Sequence, residues 1–306
     1  MSTDYSLADH IRALLELIRP ANIITAFADI IAGFAAAGGI IAFQLDSFTV
    51  IPAGLGWLLL STFGLYGGGV VFNDVFDAEL DAEERPERAI PSGKISKSVA
   101  ILLGSVLLIT GVTAAFIVNY TAALLAFGIA CFALAYDYWA KHSSVWGPLF
   151  MGICRGGNLL LGVAIFPFLL TNLWFLALLP IAYIGGITLI SQGEVHGGDQ
   201  TSGYIGLGLV LLVTGALLLI GLQSSYNTLI ALPFVIIFGS LVIPPFLKAA
   251  LRPEPTLIKK AVKRGVLSLI LLNSALAAGF AGWTMGIITV LLLPVSLLTA
   301  KLFDVT

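Results

Sequence analysis

The chain has 306 residues, of which 58% are hydrophobic and only 10% charged, and its mean hydropathy is +1.03. Soluble domains usually carry about 25% charged residues, so this composition excludes a soluble protein and indicates one embedded in a lipid bilayer. The formal net charge of −2 provides no basic surface, and we expect no nucleic-acid partner.

Residues 1–19 are predicted to form an amphipathic helix that lies at the membrane surface before the first span. Apolar side chains recur there at helical spacing, with charged residues elsewhere around the helix. The predicted apolar stripe consists of Leu7, Ile11, Leu14, Leu15 and Ile18.

Apolar runs of about 20 residues, the length that crosses a bilayer as a helix, fill the rest of the chain. They lie near residues 20–42, 52–74, 97–118, 120–138, 146–169, 173–192, 203–222, 228–248, 264–281 and 285–302. The last two are joined only by Gly282 to Gly286, so they form either a tight hairpin or one long broken segment. The sequence therefore predicts a single domain over 1–306, an all-α polytopic membrane protein with nine or ten transmembrane helices around a central cavity.

The basic residues predict how these helices are oriented. Every predicted loop on the N-terminal side except 192–202 holds Lys or Arg, whereas the opposite connections near 43–51, 119, 170–172 and 223–227 hold none. Cytoplasmic loops accumulate Lys and Arg, so we expect the N-terminus and the acidic loop near 73–96 to face the cytoplasm.

Asp74, Asp77 and Asp81 stand at i, i+3 and i+7 directly after the second apolar run, and on a helix they share one face. Three like charges repel unless a cation lies among them, and oxygen ligands favour Mg²⁺ over Zn²⁺. Mg²⁺ that is held by few carboxylates usually completes its coordination with water and with the phosphates of a substrate. The alternative is a solvated acidic loop without a ligand.

A second polar stretch at 191–202 follows the sixth span and contains Glu194, His196 and Asp199. Because an even number of spans separates the two stretches, the second lies on the same side of the membrane as the first. If both loops cap one cavity, its rim carries two carboxylate clusters together with Arg88, Lys94 and Lys141. Such a rim above an apolar chamber suits a diphosphate head with a long hydrocarbon tail, which predicts metal-assisted transfer of that hydrocarbon to an acceptor.

Polar residues inside the predicted spans are costly and usually functional or paired. Arg155 and Asn158 lie one turn apart in the fifth span. Arg155 either forms a buried pair with Asp29 or Asp137, or faces a water-filled pocket where its guanidinium suits a diphosphate or a carboxylate.

These motifs resemble those of the UbiA superfamily of intramembrane prenyltransferases. Asn73-Asp74-x-x-Asp77-x-x-x-Asp81 matches the first aspartate-rich motif of that family, and Arg88-Ala89-Ile90-Pro91-Ser92-Gly93 is similar to the segment that follows it. Further matches are Arg19-Pro20-x-Asn22, Lys141, Arg155 and Asn158.

The resemblance implies an all-helical bundle, a prenyl diphosphate substrate, a lipophilic or aromatic acceptor and Mg²⁺ as cofactor. It assigns Asn73, Asp74, Asp77 and Asp81 to the diphosphate through Mg²⁺, and Arg88 and Lys141 to the phosphates.

The second motif departs from the family pattern of two aspartates four residues apart. Asp199 fits the last position, but Val195 stands four residues before it and Glu194 is the nearest substitute. The Gly-Glu-Val-His-Gly-Gly-Asp segment and the Leu-Phe-Asp-Val-Thr ending resemble a bacterial branch called UbiA-like EboC, which implies a location in the bacterial plasma membrane. The irregular motif leaves a second hypothesis open, a protein of the same fold that carries or exports a metabolite without prenylating it.

Overall fold

A computed structural model describes residues 7–39 and 50–302, and these residues form helices and turns without strands. The end of the predicted first span, residues 43–49 of the predicted connection, and the Phe-Asp-Val-Thr terminus lie outside the described residues. The helices are α1 Leu7–Ile18, α2 Pro20–Ala36, α3 Val50–Phe76, α4 Ala78–Glu84, α5 Lys97–Val118, α6 Tyr120–Tyr138, α7 Trp146–Val163, α8 Leu178–Ser191, α9 Gln200–Leu219, α10 Thr228–Leu251, α11 Pro255–Ala281, α12 Trp283–Val290 and α13 Leu292–Leu302.

Nine helical stretches within the described residues are long and apolar enough to cross a membrane. The helix α7 is not among them because Arg155 and Asn158 lower its hydropathy, yet it runs between the two ends of the bundle. Near its start, the carbonyl of Ser143 accepts a 3.3 Å hydrogen bond from Gln192. At its end, the carbonyl of Ala164 accepts a 2.8 Å hydrogen bond from Asn119. It therefore serves as a tenth crossing segment.

The last apolar segment returns through the bundle as the second arm of a hairpin. The chain turns at Gly282, whose φ of +90° suits a residue without a side chain. Met285 then packs on Ala277 and Ala35. Further on, the Ser296 hydroxyl donates a 3.0 Å hydrogen bond to the carbonyl of Ala21. Because Ala21 opens α2 at the end that holds the acidic loop, the segment finishes there.

Glycines permit the closest helix crossings. A Cβ added to Gly162 on α7 would lie 3.0 Å from the Phe34 nitrogen and 3.0 Å from the Ile30 Cα on α2. A Cβ at Gly111 on α5 would lie 2.9 Å from the Leu65 nitrogen on α3. Small residues that allow backbones to approach are the usual basis of helix association in membranes.

The structure corrects one sequence-based prediction. The ninth span was expected to begin at residue 264, but α11 begins at Pro255, because proline at the first helical position fits a helix start. In α1, Ala13 and Leu17 are buried against the bundle, whereas Ile11 and Leu15 remain exposed.

Candidate active site

The first aspartate motif lies at the junction of α3 and α4. Asp77 separates the two helices, but backbone hydrogen bonds from Asp77 to Asn73 (3.0 Å) and from Asp81 to Asp77 (2.8 Å) carry the helical path through it. Asp74 and Asp81 therefore stay on one side, as their spacing predicts. Both are buried, at 8% and 4% exposure.

Basic side chains from three parts of the chain meet these carboxylates. Arg19 donates to Asp74 at 2.6 Å, and Arg88 donates to Asp81 at 2.7 Å and to Asp74 at 3.4 Å. Lys141 forms an ion pair with Asp77. We call these six residues the aspartate cluster.

Asn73 completes the surroundings of the cluster by donating a 2.8 Å hydrogen bond to Asp137 at the end of α6. The structure thus brings together the predicted Asn73, Asp74, Asp77, Asp81, Arg88 and Lys141. It adds Arg19 and Asp137, which the sequence did not place in the site. The spacing of Asp137 and Lys141, one turn apart, was the available signal for Asp137.

The turn after α4 positions Arg88. Ala89 and Ile95 are buried against Val71 and Val75 of α3, and the Ile95 nitrogen donates to the Ala89 carbonyl at 3.0 Å. Gly93 closes the turn with a φ of +75°. This apolar anchoring folds the segment back onto α3, so that the guanidinium of Arg88 reaches two carboxylates.

Arg19 has an unusual backbone. Its φ of 51° and ψ of 65° place it in the left-handed region, between α1 and Pro20. A side chain in this region costs about 1–2 kcal/mol and persists only where the surroundings fix it. The ion pair with Asp74 and the packing of α1 on α3 fix it here.

The sequence predicted that a metal ion balances the charge of the three aspartates, and the structure shows a different source of positive charge. No group of three acidic or metal-ligating side chains stands close enough to hold a metal anywhere in residues 7–39 and 50–302. Guanidinium and ammonium groups supply the positive charge instead. Each ion pair uses one oxygen of its carboxylate, Oδ1 of Asp74, Oδ1 of Asp77 and Oδ2 of Asp81. The all-oxygen donor set fits Mg²⁺ once the basic groups turn toward an anionic ligand.

The second polar loop lies at the same end of the bundle. The Gly198 nitrogen donates to the Pro253 carbonyl at 3.0 Å, and Gly197 turns the chain with a φ of +86°. Glu194 lies within electrostatic reach of Lys259 and of Arg85, the C-cap residue directly after α4. The two acidic loops are therefore neighbours, as the parity of the spans predicts.

Asp199 caps α9. Its Oδ1 accepts from the Ser202 nitrogen at 2.8 Å and its Oδ2 accepts from the Ser202 hydroxyl at 2.7 Å, and these bonds lower the pKa of the carboxyl. Glu194 is half-buried, and desolvation raises its pKa against the opposing charges of Lys259 and Arg85. His196 is exposed. Neither acid joins the aspartate cluster.

Arg155 and Asn158 lie deeper, in a polar network buried between α2, α3, α7 and α11. Arg155 Nε lies 3.1 Å from Oδ2 of Asp29, which is fully buried. Asp29 also accepts from Asn158 at 3.1 Å and from Asn273 at 2.6 Å. Thr62 donates to Asn158 at 2.7 Å. Of the two alternatives for Arg155, the structure has the buried pair with Asp29.

Two tyrosines lie between this network and the cluster. The Arg155 guanidinium lies over the Tyr66 ring, 5.8 Å from its centroid. Tyr136 is close enough to Tyr66, Asp77 and Asp137 for their charges to act on it. Asn22, in the first turn of α2, and Lys94, in the turn before α5, are both half-buried.

The sequence profile of the UbiA prenyltransferase family matches residues 30–253. The chain belongs to this family. Among its relatives is the digeranylgeranylglyceryl phosphate synthase of Methanosarcina mazei, 32% identical over 69% of this chain and 78% of that protein. The enzyme of the same name from Methanothrix thermoacetophila is 30% identical over 70% of this chain and 79% of that protein. The chain is thus a member of a family of prenyltransferases.

Solved structures share the fold. One, described as giving insight into digeranylgeranylglyceryl phosphate synthase in membranes, aligns with a TM-score of 0.67 at 24% identity, over 89% of this chain and 99% of that chain. A UbiA homologue from Archaeoglobus fulgidus bound to GPP and Mg²⁺ aligns with a TM-score of 0.59 at 13% identity, over 94% and 99% of the two chains. At these identities the likeness establishes the helical architecture predicted from the sequence.

Proposed function

We propose that this UbiA-family protein transfers a prenyl group from a prenyl diphosphate to a lipophilic or aromatic acceptor within the membrane, in a reaction that depends on Mg²⁺. One observation supports this most strongly. Asp74, Asp77 and Asp81 lie together with Arg19, Arg88 and Lys141 at one end of an apolar helical bundle. Carboxylates can bind a divalent metal, and neighbouring arginine and lysine side chains can bind phosphate oxygens, so this combination suits the metal complex of a diphosphate.

The residues divide into two roles in this proposal. Asn73, Asp74, Asp77 and Asp81 hold the diphosphate through Mg²⁺, which when bound neutralises the phosphates and improves the leaving group. The basic groups of Arg88 and Lys141, released from their carboxylates, contact the phosphate oxygens directly, and Lys94 and Arg19 extend this positive rim. The Archaeoglobus fulgidus homologue, described as bound to GPP and Mg²⁺, supports the choice of metal and substrate class.

The inner residues serve the hydrocarbon part. Tyr136, which lies near the aspartate cluster, is a candidate to stabilise an allylic cation that forms when diphosphate leaves, because ring quadrupoles attract positive charge, whereas the Tyr66 ring already has the Arg155 guanidinium over it. Arg155 and Asn158 are proposed to act on the substrate through the buried network around Asp29. Asn22, in the first turn of the helix that carries Asp29, is a further candidate substrate contact. The relatives' name specifies a product built on glyceryl phosphate. It supports a lipid-like acceptor over a free aromatic one.

The second loop contributes less directly in this proposal. Glu194 is its candidate metal ligand, because Asp199 already satisfies both carboxylate oxygens on Ser202. His196, which lies within the same loop, is a candidate substrate contact. The capping role of Asp199 also favours the second hypothesis, a protein of the same fold that carries or exports a metabolite without prenylating it.

We also propose the orientation expected from the basic residues, with the N-terminus and both acidic loops in the cytoplasm. The protein is an integral membrane protein. The relatives named above are archaeal, and placement in a bacterial plasma membrane rests on the resemblance to the EboC branch.

The test is an assay of the purified protein in lipid nanodiscs with Mg²⁺, membrane lipids and radiolabelled prenyl diphosphates of several lengths. We expect diphosphate release and a labelled lipid. The variant Asp77→Asn should lower turnover by about 10²–10³-fold, the scale for losing one electrostatic contact to the transition state. Its melting temperature should match that of the wild-type protein.

The matched control is Glu83→Gln, which removes an exposed carboxylate from α4, the helix that Asp77 precedes, and should keep full activity. Full activity of Asp77→Asn would contradict the proposal. Saturable binding of prenyl diphosphate without diphosphate release, in wild type and control alike, would identify a carrier.

A further inference from the structure

A groove of about 450 Å³ lies away from the aspartate cluster, between α10, α11 and α13. Lys260, Lys263 and Arg264 stand at its basic end and are exposed. Leu267 and Leu271 continue the same face of α11 into an apolar end. The spacing from 260 to 271 corresponds to about 16 Å along a helix, roughly the depth of one bilayer leaflet.

The apolar end is walled by leucines of the neighbouring helices. Leu241 of α10 and Leu297 of α13 face Leu267 and Leu271 across the groove. The polar residue among these leucines, Ser268, is buried and hydrogen-bonds Tyr183, so this end suits an acyl chain rather than a headgroup.

The basic end carries charge that the protein does not balance. Among the ion pairs of the described residues, none involves Lys260, Lys263 or Arg264, whereas the adjacent Lys259 faces Glu194. Because α11 starts at Pro255, these three side chains are held on a helix at i, i+3 and i+4 rather than on a loose loop. Their positive charges therefore lie close enough together to bind one anion.

We propose that this groove is a binding site for one anionic glycerophospholipid of the bilayer, with its phosphate on Lys260, Lys263 and Arg264 and an acyl chain against Leu267, Leu271 and Leu297. Basic pockets between transmembrane helices on the cytoplasmic side are suited to anionic headgroups. The prenyl diphosphate is a poorer match, since the carboxylates that would hold its Mg²⁺ are in the aspartate cluster. This lipid site is separate from the proposed reaction.

The test is native mass spectrometry of the purified full chain in micelles, titrated with phosphatidylglycerol or with phosphatidylcholine of the same acyl chains. We expect one tightly bound phosphatidylglycerol and a clear preference for it over phosphatidylcholine. The triple variant Lys260→Gln, Lys263→Gln, Arg264→Gln should lose affinity for phosphatidylglycerol by roughly a hundred-fold, because each basic residue near an anionic lipid contributes about a factor of five.

Two further variants separate a built groove from general positive charge. The matched control Lys97→Gln, Lys248→Gln, Arg252→Gln removes three exposed basic residues from the same end of the bundle and should keep the preference. Leu297→Trp should fill the apolar end and lower phosphatidylglycerol occupancy while every charge remains. Melting temperatures confirm that each variant is folded.

Three results would overturn the proposal. An equal loss in the control triple would mean that diffuse charge attracts the lipid. Unchanged occupancy in Leu297→Trp would mean that no acyl chain enters. Unchanged lipid binding in the groove triple, with a raised KM for prenyl diphosphate, would make the groove a substrate entrance. The lipid titration contains no substrate, so its outcome is independent of prenyl transfer.

Discussion

Among the described residues, Asp29 is the most completely buried charged side chain, and its partners come from two helices. Arg155 and Asn158 reach it from α7, and Asn273 reaches it from α11. An isolated carboxylate in a membrane interior would be costly, so the network stabilises the fold only while it is complete. Arg155 accordingly acts as the counter-ion of Asp29.

We expect Arg155→Met to destabilise the protein by about 3–5 kcal/mol, because it leaves the Asp29 carboxylate buried without its cation. The double variant Asp29→Leu, Arg155→Met should recover much of that loss, since neither charge remains. Thermal unfolding in detergent ranks the three proteins. If Arg155 serves substrate instead, Arg155→Met would keep the wild-type melting temperature and lose activity, and the double variant would gain nothing.

The crossing of α2 and α7 is the element on which this network depends. Gly162 and Gly33 bring the two backbones together one to two turns from Arg155 and Asn158. A larger residue at the crossing would move α7 away from α2, and Asp29 would lose its partners. Packing and charge pairing thus reinforce each other at one contact.

We expect Gly162→Ala to destabilise by about 1–3 kcal/mol, because its Cβ would clash with the backbone carbonyl oxygen of Ile30 on α2 and force the helices apart. Gly128→Ala on α6 is the matched control, since nothing lies within 4 Å of a Cβ there. It should be neutral or about 1 kcal/mol stabilising, from helix propensity alone. Equal melting temperatures for the two variants would show that the crossing tolerates a methyl group.

Hydropathy was sufficient to predict most of these helices, because a spanning helix must be long and apolar whatever it packs against. It failed where polar residues extend a helix beyond the bilayer, as in the first turns of α11, since charge alone does not distinguish a loop from a helix outside the membrane. The single span predicted for 173–192 is confirmed, although it begins earlier, at Pro167, with short helical segments that precede α8.

At the scale of the whole molecule, the sequence predicted which carboxylates gather but not what neutralises them. The spacing of Asp74, Asp77 and Asp81 placed them on one face, and the loop parity placed Glu194 at the same end. Arg19 lies 55 residues along the chain from Asp74, and Lys141 lies 64 residues from Asp77. Only the packing of α2, α3 and α6 therefore brings these pairs together. The role of Asp199 as a helix cap was likewise invisible without coordinates.

The orientation of the bundle gives the last prediction, which uses single cysteines in a protein whose Cys131 and Cys154 are replaced by alanine. Glu83→Cys lies at the end that holds the acidic loops, and Ser224→Cys lies at the opposite end; both positions are exposed. Because the loops around Glu83 hold the Lys and Arg residues, a membrane-impermeant maleimide added to intact cells should label position 224 alone, and position 83 only after permeabilisation. The reverse pattern would place the aspartate cluster outside the cell, away from cytoplasmic prenyl diphosphate. Labelling of both positions from one side of the membrane would contradict the count of ten crossing segments.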